Sequence, residues 1–400
     1  MKFYFHKNKI NYNEYTIRLL EHILKEYLVD DPSDADMILV SVCDADELGD
    51  IIKARQYGKP VITGGMISEY PVVNELSDYV WHGEIYGFRD NLKSGIRLKD
   101  MECCTTKDKK PLKIDQEIKW NENPIIGVGR NAKYYYVSKG CPVKCKYCYM
   151  SNVRDYQIVP ESRYKHVAKE AGKGFMPIAA YNPYGTVEFT RIGESLVKKY
   201  IAGGHGKGSK MVRAGVEFVD PVLSKTLAKG VTIDDLNAAT IKAGEENTKL
   251  ILYFIAGLEP QEQLEEYFNK IIMDFRIKPA ITIVFTYIDP QPFTPFHDFD
   301  IRLKNVSIDA KKIYKIAAAR NKRIRVLPLA TPVKSTLRTL LGRAVSEDDY
   351  KFIKSIARKT YDEIMMRCEE REHLLGVTGL NETCKRKREQ TIPEYWRPSL

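Results

Sequence analysis

The sequence has no run of about 18 apolar residues, so no membrane-spanning helix is expected. Its opening residues, MKFYFHKNKI, are basic and strand-like. They lack the long apolar core and small-residue cleavage site of a secretory leader, and a cytoplasmic protein is expected. Cysteine is scarce as well: eight in 400 residues are too few for a disulfide scaffold, and in a reducing compartment such thiols stay available for metal. No internal repeat is evident. The one glycine-rich stretch, Gly203-Gly-His-Gly-Lys-Gly-Ser-Lys210, lacks full phosphate-loop spacing and reads as a loop. Acidic residues are in the minority, 53 against 63 Lys plus Arg, and the net charge of +10 favours polyanionic partners without requiring them.

What is present is an α/β pattern in several parts. Residues 1–92 read as a small Rossmann-like unit. Its strands are expected at Lys2–His6, Met37–Val42, Pro60–Thr63 and Tyr79–His82, with helices over Tyr15–Tyr27 and Glu47–Gln56. Short apolar strands alternating with helices imply a parallel sheet, here one strand–helix unit short. Residues 93–125 are rich in Lys and Asp, show little apolar periodicity, and read as a linker. From 126 to 330 six strands are expected: Tyr134–Val137, Val187–Thr190, Val212–Phe218, Leu250–Ile255, Ile281–Tyr287 and Ile324–Leu327. Helical patterns separate most of them, ending with Val306–Arg320, and six βα units predict a partial barrel of (β/α)6 type. Residues 331–400 read as a helical C-terminal extension, notably Glu347–Arg371, closing with the basic run Cys384-Lys-Arg-Lys-Arg388.

The chemistry is concentrated in Tyr134-Tyr-Tyr-Val-Ser-Lys-Gly-Cys141-Pro-Val-Lys-Cys145-Lys-Tyr-Cys148. Three thiols within eight residues, just after an apolar strand, make a compact loop able to wrap one metal centre. Thiolates are soft ligands that suit zinc or an iron–sulfur cluster. A structural zinc site needs four ligands, commonly two separated CxxC pairs, and no second pair or His pair stands nearby. Three ligands instead leave one iron of a [4Fe–4S] cluster open to a further molecule.

This loop resembles the CxxxCxΦC motif of the radical S-adenosylmethionine (SAM) superfamily, with Tyr147 as the aromatic residue before Cys148. The resemblance implies that Cys141, Cys145 and Cys148 hold the cluster, whose open iron chelates the amino and carboxylate groups of SAM. An electron from the cluster then cleaves SAM to a 5′-deoxyadenosyl radical. Further segments follow in the family's order. Arg191-Ile-Gly193-Glu194 resembles its GGE motif, with Ile192 in place of the first glycine, which implies contact of Gly193 and Glu194 with the SAM amino group. Gly215-Val-Glu217 resembles the fourth-strand segment whose carboxylate reaches the SAM ribose. Ile255-Ala-Gly257 resembles the fifth-strand segment that packs on the adenine, where glycine lets the backbone approach. Asp289-Pro-Gln-Pro-Phe-Thr-Pro295 resembles the proline-rich exit of the sixth strand.

The N-terminal segments Asp36–Ser41, Pro60–Gly65 and Val80–Glu84 are similar, in order, to cobalamin-binding domains fused to radical SAM domains. That similarity implies a cofactor tail near Ser41, Gly64 and Gly65. None of the seven histidines sits in a DxHxxG motif, so no histidine ligand to cobalt is expected. A degenerate domain that only shapes a substrate entrance is the competing reading.

Three functions stand at this stage. In the main one, the adenosyl radical abstracts hydrogen from a large substrate; the basic balance and the Lys-Arg tail favour DNA, tRNA or a modified base. In the alternative, cobalamin passes a methyl group from SAM to an unreactive carbon. The third is a non-catalytic metal-bearing nucleic-acid-binding protein, against which the Glu217 and Gly257 segments argue. Either enzyme needs a reductase such as flavodoxin or ferredoxin, and no membrane partner is expected.

Overall fold

The computed structural model of the 400-residue chain describes residues 1–7, 14–107, 116–128, 132–142, 145–179, 211–227, 232–259, 261–271, 279–291, 294, 296–297, 299–301, 310–320, 322–328 and 331–376. Two compact units are present, the first comprising 1–137, 157–178 and 340–357, the second 138–156, 179–339 and 358–400.

The first unit is built on a six-stranded sheet: β1 (Phe3–His6), β2 (Leu28–Val29), β3 (Met37–Ser41), β4 (Val61–Gly64), β5 (Tyr79–Trp81) and β6 (Cys104–Thr105). The spatial order is β2-β1-β3-β4-β5-β6, parallel throughout except for the antiparallel edge strand β6. All five residues of β3 are buried, as a central parallel strand covered on both faces requires. Helices α1 (Glu14–Ile23), α2 (Leu48–Arg55), α3 (Pro71–Leu76) and α4 (Ile85–Lys93) connect the strands. Two strands escaped the sequence. Leu28–Val29 is too short to show a period, and Cys104–Thr105 lies inside the span read as a linker. Leu98, Met101, Cys103 and Cys104 in that span are buried with Phe3, Leu24 and Phe88 in the core of the sheet. β2 adds a strand, though not a strand–helix unit, to those expected. The sheet runs past residue 92, to Cys104–Thr105.

Next come β7 (Ile126–Val128), β8 (Ala132–Lys139), β9 (Gln157–Ile158) and β10 (Phe175–Ala179), with α5 (Tyr149–Asn152) and α6 (Glu161–Ala171). They form a sheet of order β10-β8-β7, with β9 also on β8. The strand Phe175–Ala179 was not anticipated; the one expected at Val187–Thr190 lies outside the described residues.

The second unit holds β11 (Met211–Glu217), β12 (Lys249–Ala256), β13 (Ile281–Tyr287) and β14 (Ile324–Pro328), a parallel sheet in sequence order. Between or beyond them lie α7 (Pro221–Thr226), α8 (Ile233–Glu245), α9 (Gln261–Ile271) and α10 (Ala310–Arg320). Val212, Ala214, Val216, Leu250, Leu252, Phe254, Ile281, Ile283, Phe285 and Ile324 alternate along the strands and pack against Leu236, Leu264, Phe268, Ile313 and Ala317 of the helices. This is the βα repeat expected from the periodicity. The C-terminal region is helical, with α11 (Pro332–Arg343), α12 (Glu347–Ile356) and α13 (Tyr361–Cys368). The helical stretch expected over Glu347–Arg371 is made of successive helices, because Thr360 starts a new one. Its hydroxyl accepts the Glu363 N–H while the Glu363 carboxylate accepts the Thr360 N–H. The basic run 384–388 lies outside the described residues.

Candidate functional site

The cysteine loop leaves β8 through Gly140, which has φ +62°. A Cβ there would stand within 2.6–2.7 Å of the carbonyl oxygens of Asp155 and Arg154, so only glycine lets the loop turn this close to that backbone. Cys141 and Cys145 are buried and Cys148 is partly exposed. The loop is fixed by polar contacts. The Cys148 N–H donates to the Cys145 carbonyl at 3.1 Å. The Asn152 side-chain amide donates to the carbonyls of Cys145 (2.9 Å) and Cys148 (2.7 Å). The Tyr149 N–H donates to Gln291 Oε1 at 2.9 Å, which ties the loop to the exit of β13, and the Lys146 N–H donates to the Leu227 carbonyl at 3.3 Å, which ties it to the end of α7. Gly140, Asn152 and Gln291 were not singled out from the sequence. A glycine abutting the first cysteine was the one local signal; the partners of the other two are created by folding.

Tyr147 packs against a cluster formed by Phe218, Leu223, Leu227, Ile255, Leu258, Ile288, Phe296 and Phe299, with its ring edge-on to Phe218 at 6.0 Å and 88°. Desolvation pushes the Tyr147 phenol well above the usual tyrosine range; the charges of Glu217, Cys145 and Cys148 push the same way. The cysteine loop, Glu217 and Ile255 therefore meet around one tyrosine. Among the described residues no group of three or more His, Cys, Asp or Glu side chains is placed to hold a single metal ion. The donor chemistry fits a three-thiolate cluster, with three soft ligands on one short anchored loop, two of them buried.

Glu217 ends β11 with φ +69°, rare for a residue with a side chain. The Phe218 N–H donates to the Val216 carbonyl at 2.9 Å, which makes Glu217 the centre of a γ-turn, and the register with β12 slips between Gly215 and Glu217. Such strain persists where the surroundings fix it and is concentrated at functional sites. On the next strand Ile255 is buried in the Tyr147 cluster and Gly257 has φ +103°. Beyond it stands Glu259, 2% exposed, whose Oε1 accepts the N–H groups of Val219 and Asp220, both at 2.6 Å. Gly193 and Glu194, expected at the SAM amino group, lie outside the described residues.

In the N-terminal sheet the order β2-β1-β3-β4-β5 reverses direction between β1 and β3. Open parallel sheets bind ligands at the carboxyl ends of the strands beside such a reversal. Ser41 is buried at that edge, and Gly64 lies at the end of the neighbouring β4. Gly65 has φ +113°, and a Cβ there would collide with the Val42 backbone. Its lack of a side chain thus serves packing of its own chain. His82 is buried, its Nε2 2.6 Å from the Thr105 hydroxyl. The edge suits a ligand held by backbone and small side chains.

No protein-family model matches the sequence, and no curated protein matches it. Solved structures do. One is the radical SAM methyltransferase TsrM from Kitasatospora setae with cobalamin and a [4Fe–4S] cluster bound: TM-score 0.54 and 11% identity, over 91% of this chain and 100% of that one. Another is the cobalamin-dependent SAM radical enzyme OxsB with aqua-cobalamin and SAM bound, at TM-score 0.49 and 12% identity, over 97% of this chain and 78% of that one. With its N-terminal parallel sheet, its later βα repeats and its helical C-terminal region, the chain has the fold of the TsrM structure.

Proposed function

We propose that this protein is a cobalamin-dependent radical SAM enzyme that transfers a methyl group from SAM to an unreactive carbon. The carrying observation is the meeting of the cysteine loop, Glu217 and Ile255 around Tyr147, which gathers candidate ligands for cluster, ribose and adenine in one place. Cys141, Cys145 and Cys148 would hold the cluster. The Glu217 carboxylate would accept hydrogen bonds from the ribose hydroxyls. Ile255 would cover the adenine, with Gly257 admitting its close approach. Asn152 and Gln291 hold the loop still while this happens. Once bound, the cluster supplies an electron to SAM and the corrinoid a carrier for its methyl group. The N-terminal sheet would take the corrinoid at the edge bearing Ser41, Gly64 and Gly65, without a protein histidine on cobalt.

Methyl transfer is preferred over hydrogen abstraction from a nucleic acid. The likeness to TsrM, which carries both cofactors, supports the former. The latter rested on charge balance and on a basic tail outside the described residues.

Two measurements test the proposal. Full-length protein, reconstituted anaerobically with iron, sulfide and hydroxocobalamin and then desalted, is expected to retain about four irons and one corrinoid, read from iron content and visible absorption. Replacing any one of Cys141, Cys145 or Cys148 by alanine should abolish SAM turnover with dithionite. A desalted protein without corrinoid absorption would remove the methyl-transfer reading. An active single-cysteine variant would overturn the ligand assignment.

A further inference from the structure

One buried carboxyl group takes no part in the ligand contacts assigned above, yet three segments of the site lead back to it. Glu259 lies just past Gly257, where β12 has ended, and is 2% exposed. Its Oε1 accepts the N–H groups of Val219 and Asp220, each at 2.6 Å, so two consecutive amides converge on a single oxygen. These are the second and third residues after Glu217, whose left-handed backbone they follow directly. The Asp220 side chain in turn caps α7 by accepting the Leu223 N–H at 2.7 Å. The far end of that short helix presents the Leu227 carbonyl to the N–H of Lys146, between two of the three cysteines. The Phe218 ring, between Glu217 and the clamped amides, receives Tyr147 edge-on.

We propose that Glu259 is the positioning residue of the SAM site: its carboxyl group clamps the exit of β11, and through that clamp fixes the Glu217 turn, α7 and the seat of the cysteine loop. The inference rests on the reading of Glu217 as a ribose contact. It follows from the cost of the alternative. A γ-turn at positive φ is not a conformation the Glu217 backbone holds by itself, and something rigid must hold both ends. On the N-terminal side the parallel ladder to β12 does so. On the C-terminal side Glu259 does, with buried hydrogen bonds to a carboxyl group that water cannot replace. Phe218 and Val219 are both buried, so loss of the clamp would strand the Val219 amide away from solvent. Glu259 would not touch SAM; it would act through Glu217.

The test uses full-length reconstituted protein and three variants, Glu259→Ala, Glu259→Gln and Glu217→Ala. Glutamine keeps a carbonyl oxygen able to accept both amides, whereas alanine keeps none. Hydrogen exchange without SAM is expected to show faster exchange over residues 218–227 in E259A and wild-type protection in E259Q. SAM binding, followed by the change it produces in the electron paramagnetic resonance signal of the reduced cluster, should need about tenfold more SAM in E259A and within about twofold of wild type in E259Q, with iron content unchanged. Wild-type exchange and wild-type SAM affinity in E259A, with E217A impaired, would overturn this inference alone. A wild-type SAM response in E217A would instead overturn the reading of Glu217, and with it the role given to Glu259.

Discussion

Glu217 holds a backbone conformation, φ +69°, that costs of the order of 1 kcal/mol or more for a residue with a Cβ and nothing for glycine. Stability and function should therefore part at this position. Glu217→Gly is expected to be about 1 kcal/mol more stable than Glu217→Ala in denaturant titration while losing SAM binding as fully. Equal stability would mean that the turn is unstrained. At Glu259 desolvation pushes the carboxyl up to about 8, against the opposing pull of the Asp220 and Val219 amides; the charge of Asp220 adds to the rise. A carboxyl raised in the folded state binds a proton that the unfolded chain has already released. Its contribution is full below about pH 4.5 and fades as pH rises towards 8. Between pH 5 and 8 the stability of the wild type should therefore fall, by at least about 1 kcal/mol from this group. Glu259→Gln should flatten that part of the profile, and parallel profiles for the two proteins would remove the assignment. Of these two residues, Glu217 was legible by resemblance. Glu259, two residues past the Ile255-Ala-Gly257 segment, carries no local signal, because its partners are backbone amides some forty residues away.

At the scale of elements, strands β11 to β14 are expected with few errors, since alternate residues must face the helices and the period shows. Phe254, fully buried, meets Tyr267 and Phe268 of α9 and Phe285 of β13 at ring separations of 5.4–6.2 Å. Phe254→Ala should cost about 3–5 kcal/mol in chemical denaturation, because removing a fully buried ring leaves a cavity. A cost below about 1 kcal/mol would mean that the sheet and helices are loosely packed. Elements that escaped the sequence are short or depend on distant pairing. Leu28–Val29 and Cys104–Thr105 become strands only when β1 and β5 are there to accept them. The break before Tyr361 is the reverse case: the Thr360 and Glu363 pair that causes it is local and could have been read from the sequence.

At the scale of the molecule, the basic balance of +10 and the three-cysteine loop point to different properties. Charge describes how a surface attracts partners at long range and says little about chemistry. The thiol spacing constrains ligand number and softness, and so the cofactor class, whatever the surrounding fold. The sequence by itself determined the α/β class, the βα order and the cysteine loop, because periodicity and ligand spacing are local properties of a chain. Only the tertiary structure decided that the N-terminal sheet has six strands. It likewise decided that Gly65 serves its own backbone, and that Tyr147, Glu217 and Ile255 share one neighbourhood. Contacts between residues forty to a hundred positions apart carry no local pattern, and burial, strain and hydrogen bonding exist only once those residues meet.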